Sequence, residues 1–233
     1  MASTSIQRAS SSSSSTPLWR YDVFLSFHGE DTRKSFTDHL HTALKQKGIF
    51  VFRDDEKLKR GKYVSDELLK AIQESMYGIA VISTNYASSR WCLIELAKMV
   101  KCMTDTGLII LPIFYHVDPS HVRNQTGSFA EAFARHEKDS KVDIEMMQKW
   151  KSALTEVGNI SGWHLFDSHE SKVVEEIISR IIFRGMVNFS NVSKGFVGIE
   201  SRAEEIMSKL CIGLDDLVAL LLILEKKLEL IMI

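Results

Sequence analysis

The chain has 233 residues, 45% of them hydrophobic and 25% charged, a balance that predicts a folded domain rather than a disordered chain. With 29 basic and 30 acidic residues the formal net charge is −1, so we expect no specific nucleic-acid partner. Three cysteines without metal-ligand spacing and eight scattered histidines predict no metal site.

The N-terminal segment, residues 1–19, is rich in serine and contains no acidic residue. We expect a disordered leader here, with a chloroplast transit peptide as the alternative. The segment lacks the apolar run of a secretory signal, so we expect a cytoplasmic protein, with the nucleus as a further location. Cys92 and Cys102 lie in apolar runs and are expected to be buried free thiols, as is usual in a reducing compartment.

From residue 20 onward, short apolar runs alternate with helical patterns. Strands are predicted at 21–27, 49–52, 78–83, 107–115 and 162–165, and helices at 35–48, 65–76, 88–100, 128–138 and 144–158. Unbroken apolar runs are typical of strands buried on both faces, and strand–helix alternation requires a parallel sheet. We therefore predict a flavodoxin-like, doubly wound α/β domain with five parallel strands over residues 20–167.

A C-terminal helical extension follows this domain. Residues 168–210 form a predicted helical linker, with an amphipathic helix at 171–186, and residues 211–233 form an apolar tail. The last 17 residues of the tail contain four charges, so we predict no transmembrane segment. Because they are so apolar, we expect residues 217–233 to pack on the protein, self-associate or touch a membrane surface.

Ligands of such sheets bind outside the carboxyl ends of the strands. The loops expected there are "HGEDTR", "RDDEKLKRG", "STNYASSRW" and "HVDPSHVRNQTG". None contains a glycine-rich phosphate cradle, which disfavours dehydrogenases and P-loop enzymes. Asp54 and Asp55 resemble the cation-binding acids of phospho-receiver domains, but the predicted third strand does not end in an aspartate, which disfavours that class.

Glu95 is the residue whose role is hardest to predict. Glu95, Lys98 and Lys101 recur every three residues on a predicted helix. This spacing alone favours a solvated stripe in which Glu95 pairs with Lys98.

Several motifs in the printed order strongly resemble the TIR domain of plant intracellular immune receptors of the nucleotide-binding leucine-rich-repeat class. They are "YDVFLSFHGEDTRKSFTDHLHTALKQKGIFVFRDD", "LLKAI", "SRWCLIELAKMV", "LPIFYHVDPSHVR" and "ISGWHL", within residues 20–167. "VGIESRAEEIMSKL" resembles the linker that leads into the nucleotide-binding domain of those receptors. No P-loop follows it, so we expect a TIR-only or truncated member.

The resemblance implies that this chain cleaves NAD⁺, with NADP⁺ as an alternative substrate and no cofactor. The essential acid of the family's W-C-L-x-E-L motif is Glu95 here, which replaces the surface interpretation. A carboxylate near the ribose can stabilise the oxocarbenium-like state through which the nicotinamide–ribose bond breaks. Phe27, His28, Ser89 and Trp91 match positions that line the substrate pocket. The family often has Arg where this chain has His28, so we expect weaker phosphate binding.

The resemblance also implies assembly through TIR–TIR contacts. The charged loop after strand two matches a flap that docks on a neighbouring subunit, and its residues are Arg53, Asp54, Asp55, Lys59 and Arg60. The self-association surface of the first helix usually has Ser-His, where this chain has Asp38 and His39, and we expect Asp38 to weaken that packing. We add the helix that contains Trp150 as a second docking face.

Three functions follow from these observations. The first is an NAD⁺ hydrolase of plant innate immunity, active as a homo-oligomer and able to contact other TIR-type receptors. The second is a non-catalytic adaptor that uses the same surfaces to bind other TIR domains. The third, activity on nucleic acid or cyclic nucleotides, is disfavoured by the near-neutral charge. Joint presence of Glu95, Trp91 and Ser89 favours the enzyme.

Overall fold

The computed structural model describes residues 19–53, 64–166 and 168–193. The strands are β1 (Tyr21–Phe27), β2 (Val51–Arg53), β3 (Ser75–Ile82), β4 (Ile109–Phe114) and β5 (Trp163–His164). The helices among these residues are α1 (Gly29–Thr32), α2 (Phe36–Gln46), α3 (Val64–Gln73), α4 (Arg90–Asp105), α5 (Pro119–Asn124), α6 (Ser128–His136), α7 (Ile144–Val157) and α8 (Glu170–Ser193).

The five strands form one parallel sheet in the order β2-β1-β3-β4-β5. β1 lies between β2 and β3, with Phe24 opposite both Phe52 and Gly78. From β1 the chain winds first to β2 on one side and then through β3 to β5 on the other, so the strand order reverses at β1. This arrangement confirms the predicted doubly wound α/β fold and puts the carboxyl ends of all strands at one edge, where such folds bind ligands.

Several strand boundaries differ from the prediction, among them the starts of β2 and β3. β2 begins at Val51 rather than at Ile49, because Gly48 ends α2 with a φ of 75° and the Ile49 amide donates to the Leu44 carbonyl. Such a left-handed residue with a back-bonded amide is a common way to end a helix. β3 begins at Ser75 rather than at Gly78, since Ser75 pairs with Tyr21 at the start of β1.

The helix α4 lies beside the sheet and packs against α7. Its buried side chains are Cys92, Leu93, Glu95, Leu96, Met99 and Cys102. Glu95 is therefore on the buried face, and the expectation of a solvated stripe was wrong. Spacing did not predict the burial of Glu95, because a single carboxylate on a largely apolar helix can face either solvent or the core. Its partner on another element decides which.

The chain divides into two compact units, Met1–Ile178 and Ser179–Ile233. The first contains the sheet, and α8 contributes the buried residues Val173, Val174 and Ile177 to it. Of the second unit the structure describes residues 179–193, the last part of α8. The N-terminal leader up to residue 18, the end of the helical linker and the apolar tail lie outside the described residues. Within the residues that are described, no helix has the length and apolarity to cross a membrane.

Candidate active site

Three segments meet at the carboxyl edge between β1 and β3. β1 ends at Phe27, β3 is followed by a 3-10 helix at Tyr86–Ser88, and α4 begins at Arg90. The Cys92 thiol donates to the carbonyl of Phe27 at 3.5 Å, which ties the first turn of α4 to the end of β1. The elements that carry the predicted residues are thus joined by a direct contact.

The carboxylate of Glu95 is held by a serine of the central strand. Ser26 Oγ donates to Glu95 Oε2 at 2.5 Å, and Glu95 is only 5% exposed. A hydroxyl bonded to a carboxylate oxygen at this distance is a strong, charge-assisted hydrogen bond. Ser26 fixes the Glu95 side chain at the point where α4 passes the end of the sheet.

A second hydroxyl extends this contact. Tyr86 Oη lies 2.7 Å from Ser26 Oγ and 3.2 Å from the carbonyl oxygen of Cys92, to which it can donate. Burial raises the pKa of Tyr86 well above its ordinary value, and the nearby Cys92 and Glu95 add to the rise. Tyr86 therefore remains a neutral hydroxyl that can donate a hydrogen bond.

The loops after β1 and β3 are joined by Asp31. Its carboxylate accepts hydrogen bonds from Ser83 Oγ at 2.5 Å, the Asn85 amide at 3.1 Å and Asn85 Nδ2 at 3.1 Å. Burial opposes ionisation of Asp31, but the bonds from Ser83 and Asn85 outweigh it, so the pKa of this carboxyl lies below its ordinary value. His28 Nδ1 lies 3.3 Å from Asp31 Oδ1, which places His28 beside this junction.

Ser89 and Trp91 lie at the start of α4. Ser89 is the N-cap, and its Oγ accepts a hydrogen bond from the Cys92 amide at 3.3 Å. Trp91 is 47% exposed, one of the few large hydrophobic side chains that face solvent. Residues four apart on a helix are one turn apart, so Trp91 lies one turn before Glu95, exposed where Glu95 is buried.

The helix α6 fixes the 3-10 turn from behind. His136 Nε2 bonds to the Ala87 carbonyl at 2.8 Å, and Arg135 donates to Ser88 Oγ at 3.0 Å. Arg90, the first residue of α4, forms an ion pair with Asp139 at 3.3 Å. Sequence analysis did not predict these supports, because they join segments about fifty residues apart and follow no motif.

Phe27 and Arg53 are both buried at the ends of neighbouring strands. Phe27 is 8% exposed, and the guanidinium groups of Arg33 and Arg53 lie 5.4 and 5.6 Å from the centre of its ring. These are cation–π distances. Arg53 is the last residue of β2 and is 6% exposed, so its assignment to the surface of a docking flap was wrong. The remaining predicted flap residues, Asp54, Asp55, Lys59 and Arg60, lie outside the described residues.

Asp38 holds Arg53 in this position. Arg53 Nη1 donates to Asp38 Oδ1 at 2.9 Å and lies 3.4 Å from His41 Nδ1. The hydrogen bond from Arg53 lowers the pKa of Asp38. Asp38, which was expected to affect only self-association, therefore also connects the face of α2 to the cation beside Phe27.

The two predicted docking residues differ in exposure. His39 is on the surface of α2, 69% exposed in its side chain, with Nδ1 3.5 Å from Glu170. Trp150 is 2% exposed and packs edge-on against His136, with 5.4 Å between ring centres. Trp150 belongs to the core between α6 and α7, so its assignment to a docking face was wrong.

Ser26 and Tyr86 were missed by the sequence analysis. The available signals were weak: Ser26 is a polar residue within the otherwise apolar end of β1, and Tyr86 is an aromatic residue within a polar turn. A buried hydroxyl needs a hydrogen-bond partner, so the position of Ser26 in a strand buried on both faces already implied a polar partner.

The parallel sheet, whose strand order reverses at β1, defines a flavodoxin-like α/β domain. The TIR domain family matches residues 20–208, and the chain belongs to this family. This agrees with the motif resemblance found in the sequence.

Curated relatives are plant disease resistance proteins. The chain is 51% identical over 220 residues to disease resistance protein RPV1 of Vitis rotundifolia, which covers 93% of this chain and 16% of that protein. It is 47% identical over 205 residues to TMV resistance protein N of Nicotiana glutinosa, covering 88% of this chain and 18% of that protein. The chain thus spans less than a fifth of the length of these relatives.

A solved structure also resembles this chain closely. It is that of the TIR domains in the activated Roq1 resistosome, which directly recognises the pathogen effector XopQ. The two chains are 50% identical, with a TM-score of 0.65, over 69% of this chain and 99% of that chain. The chain is therefore homologous to the TIR part of plant immune receptors.

Proposed function

We propose that this domain is an NAD⁺ glycohydrolase that cleaves the bond between nicotinamide and ribose. The observation that supports the proposal most strongly is the carboxylate of Glu95, almost closed to water and fixed by Ser26 beside the open end of the sheet. An ordinary surface glutamate is solvated and needs no such fixed partner. A carboxylate placed to stabilise positive charge, by contrast, requires a fixed position and limited solvation.

The chemistry assigns a specific part to Glu95. As the glycosidic bond breaks, its electron pair leaves with nicotinamide, which becomes neutral and needs no proton. Positive charge develops on the ribose, and the Glu95 carboxylate stabilises it. Water then adds to the anomeric carbon and releases a proton, which gives ADP-ribose. Low water content around Glu95 strengthens its interaction with the developing charge.

The neighbouring side chains suit a nucleotide. Trp91 offers an exposed indole face on which a flat heterocycle can stack. Arg33, half-buried beside Phe27, provides positive charge toward which phosphates can be drawn, and Arg53, buried and paired with Asp38, packs on the same ring. His28 lies at the same edge, where it supplies a ring nitrogen rather than a permanent charge.

The proposal includes self-association as a condition for activity. The Roq1 TIR domains, at 50% identity, belong to an activated resistosome, which supports assembly of this domain as well. The exposed face of α2 with His39 is the proposed contact. The adaptor function remains the second candidate, since assembly alone would satisfy it.

One experiment distinguishes the enzyme from the adaptor. The purified chain is incubated with NAD⁺, and nicotinamide release is followed by chromatography. We expect release that rises in specific rate with protein concentration, and a parallel reaction with NADP⁺ measures nucleotide preference. Absence of nicotinamide at high protein concentration and under forced oligomerisation would overturn the enzyme proposal and favour the adaptor.

A further inference from the structure

The contacts around Glu95 form a chain of three polar groups on three different elements. Glu95 is on α4, Ser26 is on β1 and Tyr86 is in the 3-10 helix after β3. Their oxygens are joined at 2.5 Å and 2.7 Å, and neither Ser26 nor Tyr86 is exposed to solvent. Leaving any of these buried polar groups without a hydrogen bond would cost free energy. The number of available hydrogens therefore decides which group donates in each contact.

With Glu95 ionised, as the proposed function requires, counting the hydrogens fixes the direction of the chain. Ser26 has one hydroxyl hydrogen, which it donates to the Glu95 carboxylate. The 2.7 Å contact between Ser26 and Tyr86 must then use the hydrogen of Tyr86, which Tyr86 also donates to the Cys92 carbonyl at 3.2 Å. Tyr86 therefore shares one hydrogen between two acceptors, and the Ser26 hydroxyl points toward the carboxylate.

We infer that Ser26 and Tyr86 are positioning residues for the reaction, a serial hydroxyl relay that orients the Glu95 carboxylate and stabilises its charged form. The inference rests on the proposed function, in which Glu95 is the catalytic carboxylate. Tyr86 hydrogen-bonds to Ser26 and to the Cys92 carbonyl, so its hydrogen-bond contribution to Glu95 passes through Ser26. Hydrogen bonds in a chain polarise one another, so the bond from Tyr86 to Ser26 strengthens the bond from Ser26 to Glu95.

The relay predicts a characteristic pattern of variants. Ser26→Ala removes the direct donor and lowers kcat by about 10-fold to 100-fold, the loss expected for a hydrogen bond to a charged group. Tyr86→Phe keeps the ring and lowers kcat by about 3-fold to 10-fold. KM for NAD⁺ stays unchanged in both, since neither hydroxyl contacts substrate. In the double variant, kcat equals that of Ser26→Ala alone, because the Tyr86 hydroxyl has lost its hydrogen-bond connection to Glu95.

Ser75 provides a matched control. It is also a fully buried serine on a strand, and its Oγ donates to the Ala71 carbonyl at 2.6 Å. It opens β3, at the opposite end of the sheet from Glu95. Ser75→Ala removes a buried hydroxyl without touching the relay, so it leaves kcat at the wild-type value. An equal fall in kcat in Ser75→Ala would show that buried serines act only through stability and would overturn the inference.

A second measurement needs no enzymatic activity. The free energy of unfolding by denaturant at neutral pH is measured for Ser26→Ala, Glu95→Gln and the double variant. Loss of the Ser26 hydroxyl should destabilise the protein more when position 95 carries a charged glutamate than when it carries a neutral glutamine. The same cycle with Ser75→Ala in place of Ser26→Ala should be additive.

The two measurements separate the possible failures. If the wild type cleaves NAD⁺ and folded Ser26→Ala retains its kcat, the relay is overturned and the proposed function stands. If the wild type releases no nicotinamide, the proposed function fails, and the unfolding cycle still decides the relay: non-additivity supports it and additivity overturns it. If Ser26→Ala does not fold, Tyr86→Phe decides, since a wild-type kcat in that variant overturns the relay.

Discussion

Two regions of this domain each hold a carboxylate in place, but the two carboxylates differ in solvent exposure and in the kind of partner. At the carboxyl edge between β1 and β3, Glu95 is buried and bonded to a neutral hydroxyl of a residue 69 positions away. On the face of α2, Asp38 and His39 are exposed; Asp38 forms an ion pair with Arg53, and His39 Nδ1 lies 3.5 Å from the Glu170 carboxylate. Substitutions in the first region should change chemistry and folding, and those in the second should change binding or association.

The difference follows from solvent. A hydrogen bond to a charged group contributes more to stability than a neutral one, and a charge that loses its partner in a buried site is left uncompensated. Water screens exposed ion pairs, which typically contribute about 0–1 kcal/mol. His39, which is exposed, can therefore vary with little effect on the fold, whereas Asp38, which partners the buried Arg53, and the site at the sheet edge cannot.

The largest effect on stability is expected from Trp150, which supports the site from the core. Trp150→Ala removes a ring that packs against His136, the residue that bonds to the turn before α4. We expect a loss of about 3–5 kcal/mol in the free energy of unfolding, measured by denaturant titration. Trp150→Phe, which keeps an aromatic ring, is the control and should lose less. A loss below 1 kcal/mol for Trp150→Ala would contradict its place in the core.

Asp31 tests the junction between the two loops of the site. Asp31→Ala removes acceptors for Ser83 and Asn85 and should destabilise the protein by about 2 kcal/mol at pH 7. The folded protein lowers the pKa of Asp31, so its contribution to stability is complete above about pH 4 and is lost as the pH falls through the lowered value. Unfolding measured from pH 7 to pH 3 should show the two proteins converging at the acidic end. A constant difference across this range would contradict the role of the charge.

Asp38 tests whether the α2 face reaches the site. Asp38→Ala removes the carboxylate that holds Arg53 Nη1 beside Phe27. We therefore expect KM for NAD⁺ to rise about threefold, with kcat unchanged. Asp38→Asn keeps an oxygen acceptor for Arg53 and should have a smaller effect. Steady-state kinetics of both variants measure this, and an unchanged KM in Asp38→Ala would show that the two regions are independent.

His39 should give the smallest change in the isolated fold. His39→Ala removes an exposed side chain and should change the free energy of unfolding by less than about 0.5 kcal/mol. Its effect should instead be a flatter dependence of specific activity on protein concentration, because the contact between copies is weakened. Light scattering on the same samples measures association. If this variant associates like the wild type and shows the same concentration dependence, the α2 face does not form the contact between copies.

The fold was largely predictable from sequence, because each buried strand is a run of apolar residues. β1 was predicted with its observed limits, Tyr21–Phe27. β2 was displaced by two residues at its start, since "IFVF" is apolar throughout and gives no signal for where the ladder begins. The left-handed geometry of Gly48 and the bond that follows it cannot be read from residue types.

The site was predictable only in part. Motif resemblance selected Glu95, whereas spacing placed it on the surface, and burial followed from a partner on β1 that no local pattern reveals. Trp150 shows the reverse error, since a tryptophan on an amphipathic helix is suited to either a core or an interface. Ser26, Tyr86 and His136 act through contacts between segments distant in sequence, which become visible only once the elements are packed.

The buried carboxylate of Glu95 carries the proposed chemistry, and one pair of variants tests it directly. Glu95→Gln keeps the shape of the side chain and removes its charge, while Glu131→Gln makes the same change at an exposed position of α6. With NAD⁺ at equal concentrations of folded protein, we predict nicotinamide release by Glu95→Gln at less than about 1% of the wild-type rate. Glu131→Gln should match the wild type. Release by folded Glu95→Gln at the wild-type rate would contradict the central claim.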